Sequence, residues 1–245
     1  MATVVKILVK FIIPLLIAVL FSSCNLDISI SGVKGNGHVV TQERLSDVAF
    51  SKINASEGLD VYLTKSTSTA VKVQADDNIQ KFIITEIKNG TLCIHTTEAI
   101  GKANAKKILV NFTTLNEVNS SSGADIHTTN FIISDNLEVN ASSGSDQDLA
   151  IKATNIKCSA SSGAEINLNG SVTTIKANAS SGADIDANKL IAEHCTSDAS
   201  SGADIDLNCS KSINAVASSS AGISYSGNPT DVSVSESSAA EITKN

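Results

Sequence analysis

A six-residue phrase recurs through the second half of this 245-residue chain. It first reads Ser121-Ser122-Gly123-Ala124-Asp125-Ile126, then SSGSDQ at 142–147, SSGAEI at 161–166, and SSGADI at both 180–185 and 200–205. Two decayed copies follow, SSSAGI at 218–223 and SSAAEI at 237–242. The third positions fall at 123, 144, 163, 182, 202, 220 and 239, a period of about 19 residues. A fixed period of that length marks a repeat architecture, in which each unit buries its apolar face only against its neighbours.

The residues between the phrases say which repeat it is. Three after the Gly position stand Ile126, Gln147, Ile166, Ile185, Ile205, Ile223 and Ile242, and three before it stand Ser120, Ala141, Ala160, Ala179, Ala199 and Ala217. Odd offsets are apolar or small and even offsets polar, the period-two pattern of strands with one buried face. No helical stripe competes, and the fixed Leu/Asn frame of a leucine-rich repeat is absent. Three strands of four or five residues plus tight corners use about 19 residues, and each coil advances by one strand spacing of about 4.8 Å. The expected fold is all-β, a parallel β-solenoid of about 19 residues per coil. Ser-Ser-Gly supplies the corner, because Gly tolerates positive φ and hydroxyls can satisfy turn amides. Composition agrees: 42% hydrophobic residues with only 3% aromatic require a core of small and β-branched side chains.

Residues 37–118 lack the phrase but alternate similarly in longer runs, with a degenerate copy at Ser56-Glu57-Gly58-Leu59-Asp60-Val61. An open solenoid end is an exposed strand edge, so this half is expected to continue the coil and cap it, forming one continuous domain with the repeats at 119–245.

The start of the chain is set apart from the fold. Lys6 and Lys10 precede an apolar run, Phe11 to Phe21, long enough for a secretory signal and too short to span a bilayer. Its end, Leu20-Phe21-Ser22-Ser23-Cys24, resembles a bacterial lipoprotein signal, with residues 1–23 removed and Cys24 lipidated. Phe21 stands where a smaller aliphatic residue is usual, and the other reading is plain cleavage near Ser23 with Cys24 free. Residues 24–36 read as a tether. The expected location is the cell envelope, anchored to a membrane, the outer membrane foremost, with the periplasmic or surface face left open.

Export favours disulfides, and Cys93, Cys158, Cys195 and Cys209 remain. Cys158 and Cys195 both face inward but lie two coils apart, beyond disulfide reach, so buried reduced thiols are expected, with Cys93 inside as well.

Several segments together resemble a known family: Gly37-His38-Val39-Val40, Phe50-Ser51-Lys52-Ile53-Asn54-Ala55, Gly58-Leu59-Asp60-Val61-Tyr62-Leu63, Val71 to Asn78, Asn89-Gly90-Thr91-Leu92 and the Ser-Gly-Ala-Asp phrases. They are similar to the head GIN domain of the auto-transporter adhesins, over roughly residues 37–227. The resemblance implies a right-handed β-solenoid in a secreted or lipid-anchored envelope protein, and it brings no established activity.

The even offsets place Asp125, Asp146, Glu165, Asp184 and Asp204 in one outward column and His127, Asp148, Asn167, Asp186 and Asp206 in the next. Carboxylates one strand spacing apart repel by about 1 kcal/mol in a water-like dielectric. Solvent and salt can relieve this, or a divalent cation can, and oxygen ligands at this density suit calcium. Calcium-binding nonapeptide rolls, however, repeat every nine residues with paired Gly. The metal, if any, is left unassigned, and the columns stand as cation-binding or interaction candidates. Catalysis by carboxylate pairs such as Asp184 with Asp186, or Asp204 with Asp206, is the enzyme alternative, a polysaccharide-active β-helix. Near-identical carboxylates on every coil are what a structural repeat produces, and with no Trp and isolated Tyr62 and Tyr225 no sugar-stacking platform is evident. No catalytic residue is therefore assigned. Glu193-His194-Cys195 is not a nucleophile pair, because strand neighbours face opposite sides. A net charge of −7 with a single Arg excludes a nucleic-acid surface. The expected function is non-enzymatic: an envelope adhesion or interaction module binding a glycan or another envelope protein, with a purely structural role as a third reading.

Overall fold

The computed structural model describes residues 32–245. Its strands are β1 (Val39–Ser46), β2 (Lys52–Ala55), β3 (Asp60–Lys65), β4 (Ala70–Asp76), β5 (Ile83–Lys88), β6 (Thr91–Thr96), β7 (Lys106–Phe112), β8 (Glu117–Ser120) and β9 (Asp125–Thr128). The long strands of the repeats follow, β10 (Ile132–Ser142), β11 (Asp146–Ser161), β12 (Glu165–Ser180), β13 (Asp184–Ser200) and β14 (Asp204–Ala217), then β15 (Gly222–Ser226), β16 (Asp231–Glu236) and β17 (Glu241–Lys244). From β8 onward every pairing between coils is parallel, with repeat matched to repeat: Asp146 opposes Glu165, Glu165 opposes Asp184, and Asp184 opposes Asp204. The fold is a parallel β-solenoid, with the Ile column buried along its length: Ile126, Ile166, Ile185, Ile205 and Ile223 are all 2% exposed or less.

The corner has a more demanding geometry than one permissive Gly. Ser122, Ser143, Ser162, Ser181 and Ser201 have φ of 51–56°, and the glycines that follow them have φ of 65–71°. Two successive left-handed residues make a type I′ turn, closed for example by Ala203 N–H donating to the Ser200 carbonyl (3.3 Å). The Gly N–H then donates to the next coil: Gly123 to Ser143 O, Gly144 to Ser162 O, Gly163 to Ser181 O, Gly182 to Ser201 O and Gly202 to Ser219 O, at 3.0–3.2 Å. A Cβ at Gly182 would meet nothing within 4 Å, so backbone conformation alone selects Gly. The decayed copies keep the turn without it, with Ser219 and Ser220 at 54° and 60° and Ser238 and Ala239 at 53° and 61°.

Coils of unequal length absorb the difference away from the corner. The register shifts between Asn167 and Asn169 against β13, where Asn188 is looped and its N–H donates to Asp186 Oδ1 (2.9 Å).

The first half joins the solenoid out of order. β2 lies between β6 and β8, and β3 lies between β7 and β9, all parallel. The coil containing residues 52–65 is thus sandwiched between the coil of 91–112 and that of 117–128. The degenerate phrase sits in the repeat register, Asp60 opposite Asp125 and Val61 opposite Ile126, with Glu57 and Gly58 at φ 65° and 67°. Antiparallel strands close this end: β5 pairs with β6, β4 with β7, and β1 with β4. Residues 33–36, the end of the segment read as a tether, run along 99–105 together with Gly37, with Val33 N–H donating to Ala99 O and Gly35 N–H to Lys102 O. Fully buried Asp76 ties them together, accepting from the N–H groups of Gly37, Asn104 and Ala105 at 2.7–3.1 Å. Burial pushes its carboxyl pKa up, and these hydrogen bonds outweigh it and hold the value below the ordinary range.

One coil departs from the apolar lumen. Gln147 occupies the Ile column, Ser145 stands one after the Gly where neighbouring coils have Ala124 and Ala164, and both are fully buried. Gln147 Nε2 donates to Ser120 Oγ (2.8 Å) and to the Asn140 carbonyl (2.7 Å), and the hydroxyls of Ser120 and Ser145 are 2.8 Å apart.

Two cysteine expectations are overturned. Cys195 and Cys209 form a disulfide, with a Cα separation of 6.2 Å. Seven residues before and seven after Gly202, they flank one corner and point into the lumen from its two walls. Counting distances only along the solenoid axis, from Cys158 to Cys195, misses this crossing. Cys93 is half-buried and not inside, because Leu92 and Ile94 take the inward positions and strand alternation turns the residue between them outward. Cys158 is a buried free thiol whose pKa burial pushes far up.

Two outcomes are expected from this packing. Ile185→Ala should cost about 2–4 kcal/mol by leaving a cavity, while Asp184→Ala costs little, as read by denaturant titration; equal costs would contradict the register. Peptide mapping under non-reducing conditions should return a linked Cys195/Cys209 pair, and Cys209→Ser should lower stability by about 3 kcal/mol, the value for a loop of this size.

Candidate functional site

Two ladders of polar side chains lie on the outer surface, on either side of the corner. After the corner, the first column runs Lys107, Asp60, Asp125, Asp146, Glu165, Asp184, Asp204, and then Gly222 and Glu241. The second runs Leu109, Tyr62, His127, Asp148, Asn167, Asp186, Asp206 and Ser224. All the carboxylates named from the sequence therefore stand in register on the outside, and Asp60 joins them.

The columns are partly neutralised from within. Lys106 Nζ stands 4.0 Å from Asp60, Asn167 Nδ2 donates to Glu165 (2.7 Å), and Ser224 Oγ donates to Asp206. At the capped end, His127 lies over Tyr62 with ring centroids 5.4 Å apart, and Lys107 is 5.4 Å from the Tyr62 ring. Asp125 and Asp184 keep a raised pKa. Burial is the larger cause at both, followed by repulsion from Asp146 and Asp60 at the first and from Asp204, Glu165 and Asp206 at the second. Asp184, Asp204, Asp206 and Glu241 line an open cavity of about 580 Å³ near the last coil. Among the described residues no three His, Cys, Asp or Glu side chains are grouped to hold a metal ion.

The second ladder escaped the sequence reading. Before the corner, Asn54, Asn119, Asn140, Ser159, Asn178 and Asp198 are aligned across six coils, and Ser121, Ser142, Ser161, Ser180 and Ser200 stand two residues further on. The wall is concave here and encloses an open groove, also about 580 Å³. Its signal was present in the recurring Asn-Ala-Ser-Ser-Gly at 140–144 and 178–182, read as corner alone. His194 is exposed and Cys195 buried, on opposite faces as expected; His194 Nδ1 is 2.7 Å from Ser212 Oγ. Cys24 lies outside the described residues.

Fold and surface together define a class: a β-solenoid that displays side-chain ladders in place of one singular pocket, the form of an adhesion-like or binding module. The chain belongs to the family described as "putative auto-transporter adhesin, head GIN domain", whose pattern matches residues 49–229. A crystal structure of a "putative adhesin" from Bacteroides fragilis is 23% identical, with a TM-score of 0.81, covering 87% of this chain and 100% of that one. A "putative lipid binding protein" from Parabacteroides distasonis (20% identical, TM-score 0.71, coverage 87% and 99%) and a "putative adhesin" from Parabacteroides merdae (16%, 0.71, 87% and 98%) share the fold. No curated protein matches the chain. Among the described residues no helix is long and apolar enough to cross a membrane.

The raised carboxyls make a pH-dependent expectation. A group whose folded pKa exceeds its ordinary value, about 3.9 for Asp, holds its proton more tightly when folded. Stability therefore falls as pH rises through the window from the ordinary to the raised value, and the loss is complete above it. Asp184→Asn should accordingly raise the thermal midpoint at neutral pH, and the difference from the parent should close below pH ~3.9. Calorimetry across this range decides; a variant less stable at neutral pH would show that the column is not repulsive.

Proposed function

We propose that the protein is a non-enzymatic adhesion or interaction module of the cell envelope, held to the outer membrane by a lipid on Cys24. The observation that carries this reading is the alignment of outward polar side chains into columns over successive coils. A reaction centre needs one singular arrangement of groups, whereas a repeated surface offers many equivalent weak contacts, suited to an extended glycan or envelope protein. The seven repeats alone extend about 34 Å at one strand spacing each, a rod able to hold its ligand face away from the membrane. The adhesin descriptions of the family and of the neighbours support an extracellular or envelope-associated place of action. The lipid-binding description belongs to that neighbour, and most large apolar side chains of the present chain are buried in its own lumen, with Phe131, Ile133 and Ile191 among the exposed ones.

Cys24→Ser should move the protein from the membrane fraction to the soluble fraction; unchanged sedimentation would remove the anchor. A glycan array and reducing-end assays on the same purified protein test the rest. Binding without turnover supports an interaction module, turnover abolished by a single Asp substitution would establish the enzyme, and silence in both would favour a structural role.

A further inference from the structure

We infer that the Asn/Ser groove is the ligand-binding face and that it takes a linear, neutral oligosaccharide, one sugar unit per coil; this rests on the binding-module reading above. The groove's lining is uncharged over five of its six coils, Asp198 being the exception at one end. On one wall stand the amides of Asn54, Asn119, Asn140 and Asn178, each both donor and acceptor, with the Ser159 hydroxyl among them, and on the other wall hydroxyls, repeating at about 4.8 Å with the coils. Vicinal hydroxyls of a pyranose ring present the same mixture of donors and acceptors, and a chain of such rings repeats it on a comparable scale. Between the walls the backbone at Ala141, Ala160 and Ala179 forms the floor, each residue 3% exposed with its methyl group turned into the lumen, so the groove is shaped by the flanking polar side chains.

Two of the amides, Asn119 and Asn140, are held in place before any ligand arrives. Asn140 Nδ2 donates to Asn119 Oδ1 (2.8 Å), and Asn119 Nδ2 donates to Glu117 Oε1 (2.8 Å). Glu117 is itself paired with Lys52 at 2.7 Å. Fixing these rotamers in advance removes part of the ordering cost of binding.

Other occupants fit less well. A peptide adding as a strand needs free backbone N–H and C=O groups, and the strands of this wall, β8 and β10 to β13, are already paired to one another in an unbroken series. An acyl chain would lie against amides and hydroxyls, leaving their hydrogen bonds unmade. An anionic polymer would meet a chain of net charge −7. With no aromatic platform in the groove each rung binds weakly, and affinity must accumulate along the ligand.

The test is calorimetric titration of the full chain with neutral linear oligosaccharides of four series (cello-, xylo-, manno- and chito-), from disaccharide to heptasaccharide. In at least one series affinity should rise with length and level off near the hexasaccharide, where six coils are spanned. Asn178→Ala on one wall and Ser180→Ala on the other, each with an unchanged thermal midpoint, should weaken the hexasaccharide about fivefold, as expected for one hydrogen bond. Asp184→Asn, on the acidic columns, should leave it unaltered. Binding lost in Asp184→Asn but kept in Asn178→Ala and Ser180→Ala would overturn the groove and leave the adhesion module standing on its acidic face. No binding in any series would overturn the neutral-glycan assignment, while the array, with its acidic glycans, and a pull-down of envelope proteins would decide separately whether the chain is a binding module at all.

Discussion

The interaction on which the rest depends is the hydrogen bond between corners, from the Gly N–H of one coil to the middle Ser carbonyl of the next. Left-handed backbone at two successive residues costs a non-glycine residue roughly 1–2 kcal/mol, so the Ser position is strained in every copy. The strain persists because a type I′ corner directs its next N–H along the solenoid axis, converting a reversal of the chain into one more rung of the parallel ladder. With every corner locked to its neighbour, the strands on both sides are brought into zero-offset register. The buried Ile column and the outward polar columns then follow from strand alternation alone. That Ser220 holds the turn without Gly, its N–H donating to Ser238 O, shows the ladder outweighing the strain of a second left-handed side chain.

Regular repetition creates a difficulty of its own. When coils are nearly identical, a chain displaced by one whole repeat places Ile on Ile and Ser on Ser as well as the native arrangement does, so apolar burial cannot choose between them. Two features break the degeneracy. Gln147, Ser145 and Ser120 satisfy one another only when adjacent coils are correctly matched; a slip would set the Gln147 amide against Ile, unpaired. Gln147 Oε1 and Ser197 Oγ lack partners even in the native register, a cost the apolar columns must offset. Unequal coil lengths, with the loop at Asn188, make neighbouring repeats imperfect substitutes.

Much of this was legible in sequence because a period is a strong signal. The spacing of Ser-Ser-Gly gave the coil length, alternation gave the faces of Ile185 and Asp184, and even the degenerate Ser56 to Val61 lies in the repeat register. The coil order of the first half was not legible: β2 and β3 precede β6 and β7 in sequence yet lie inside them, and nothing in a local pattern records which of two similar coils is stacked outermost. The disulfide was missed because sequence spacing was converted to distance along the axis only, while the lumen narrows until its walls are 6.2 Å apart at the Cα atoms. The groove was missed for a related reason. Alternation says that Asn178 and Ser180 share a face, but whether that face is convex or concave depends on how the wall bends, which is a property of three dimensions.

The same period that builds the lumen also limits what the outside can do. Every outward position is copied coil after coil, so a charge is amplified into a column. On the acidic side this produces mutual repulsion, visible in the raised carboxyls of Asp125 and Asp184, and the chain spends neutral donors such as Asn167 and Ser224 to contain it. Amides and hydroxyls escape the problem, since each both donates and accepts and a ladder of them satisfies itself, as Asn140 and Asn119 do. On a solenoid, neutral polar groups are thus the side chains that can be repeated without penalty, and a surface made of them recognises a ligand by its period and length more than by any one contact.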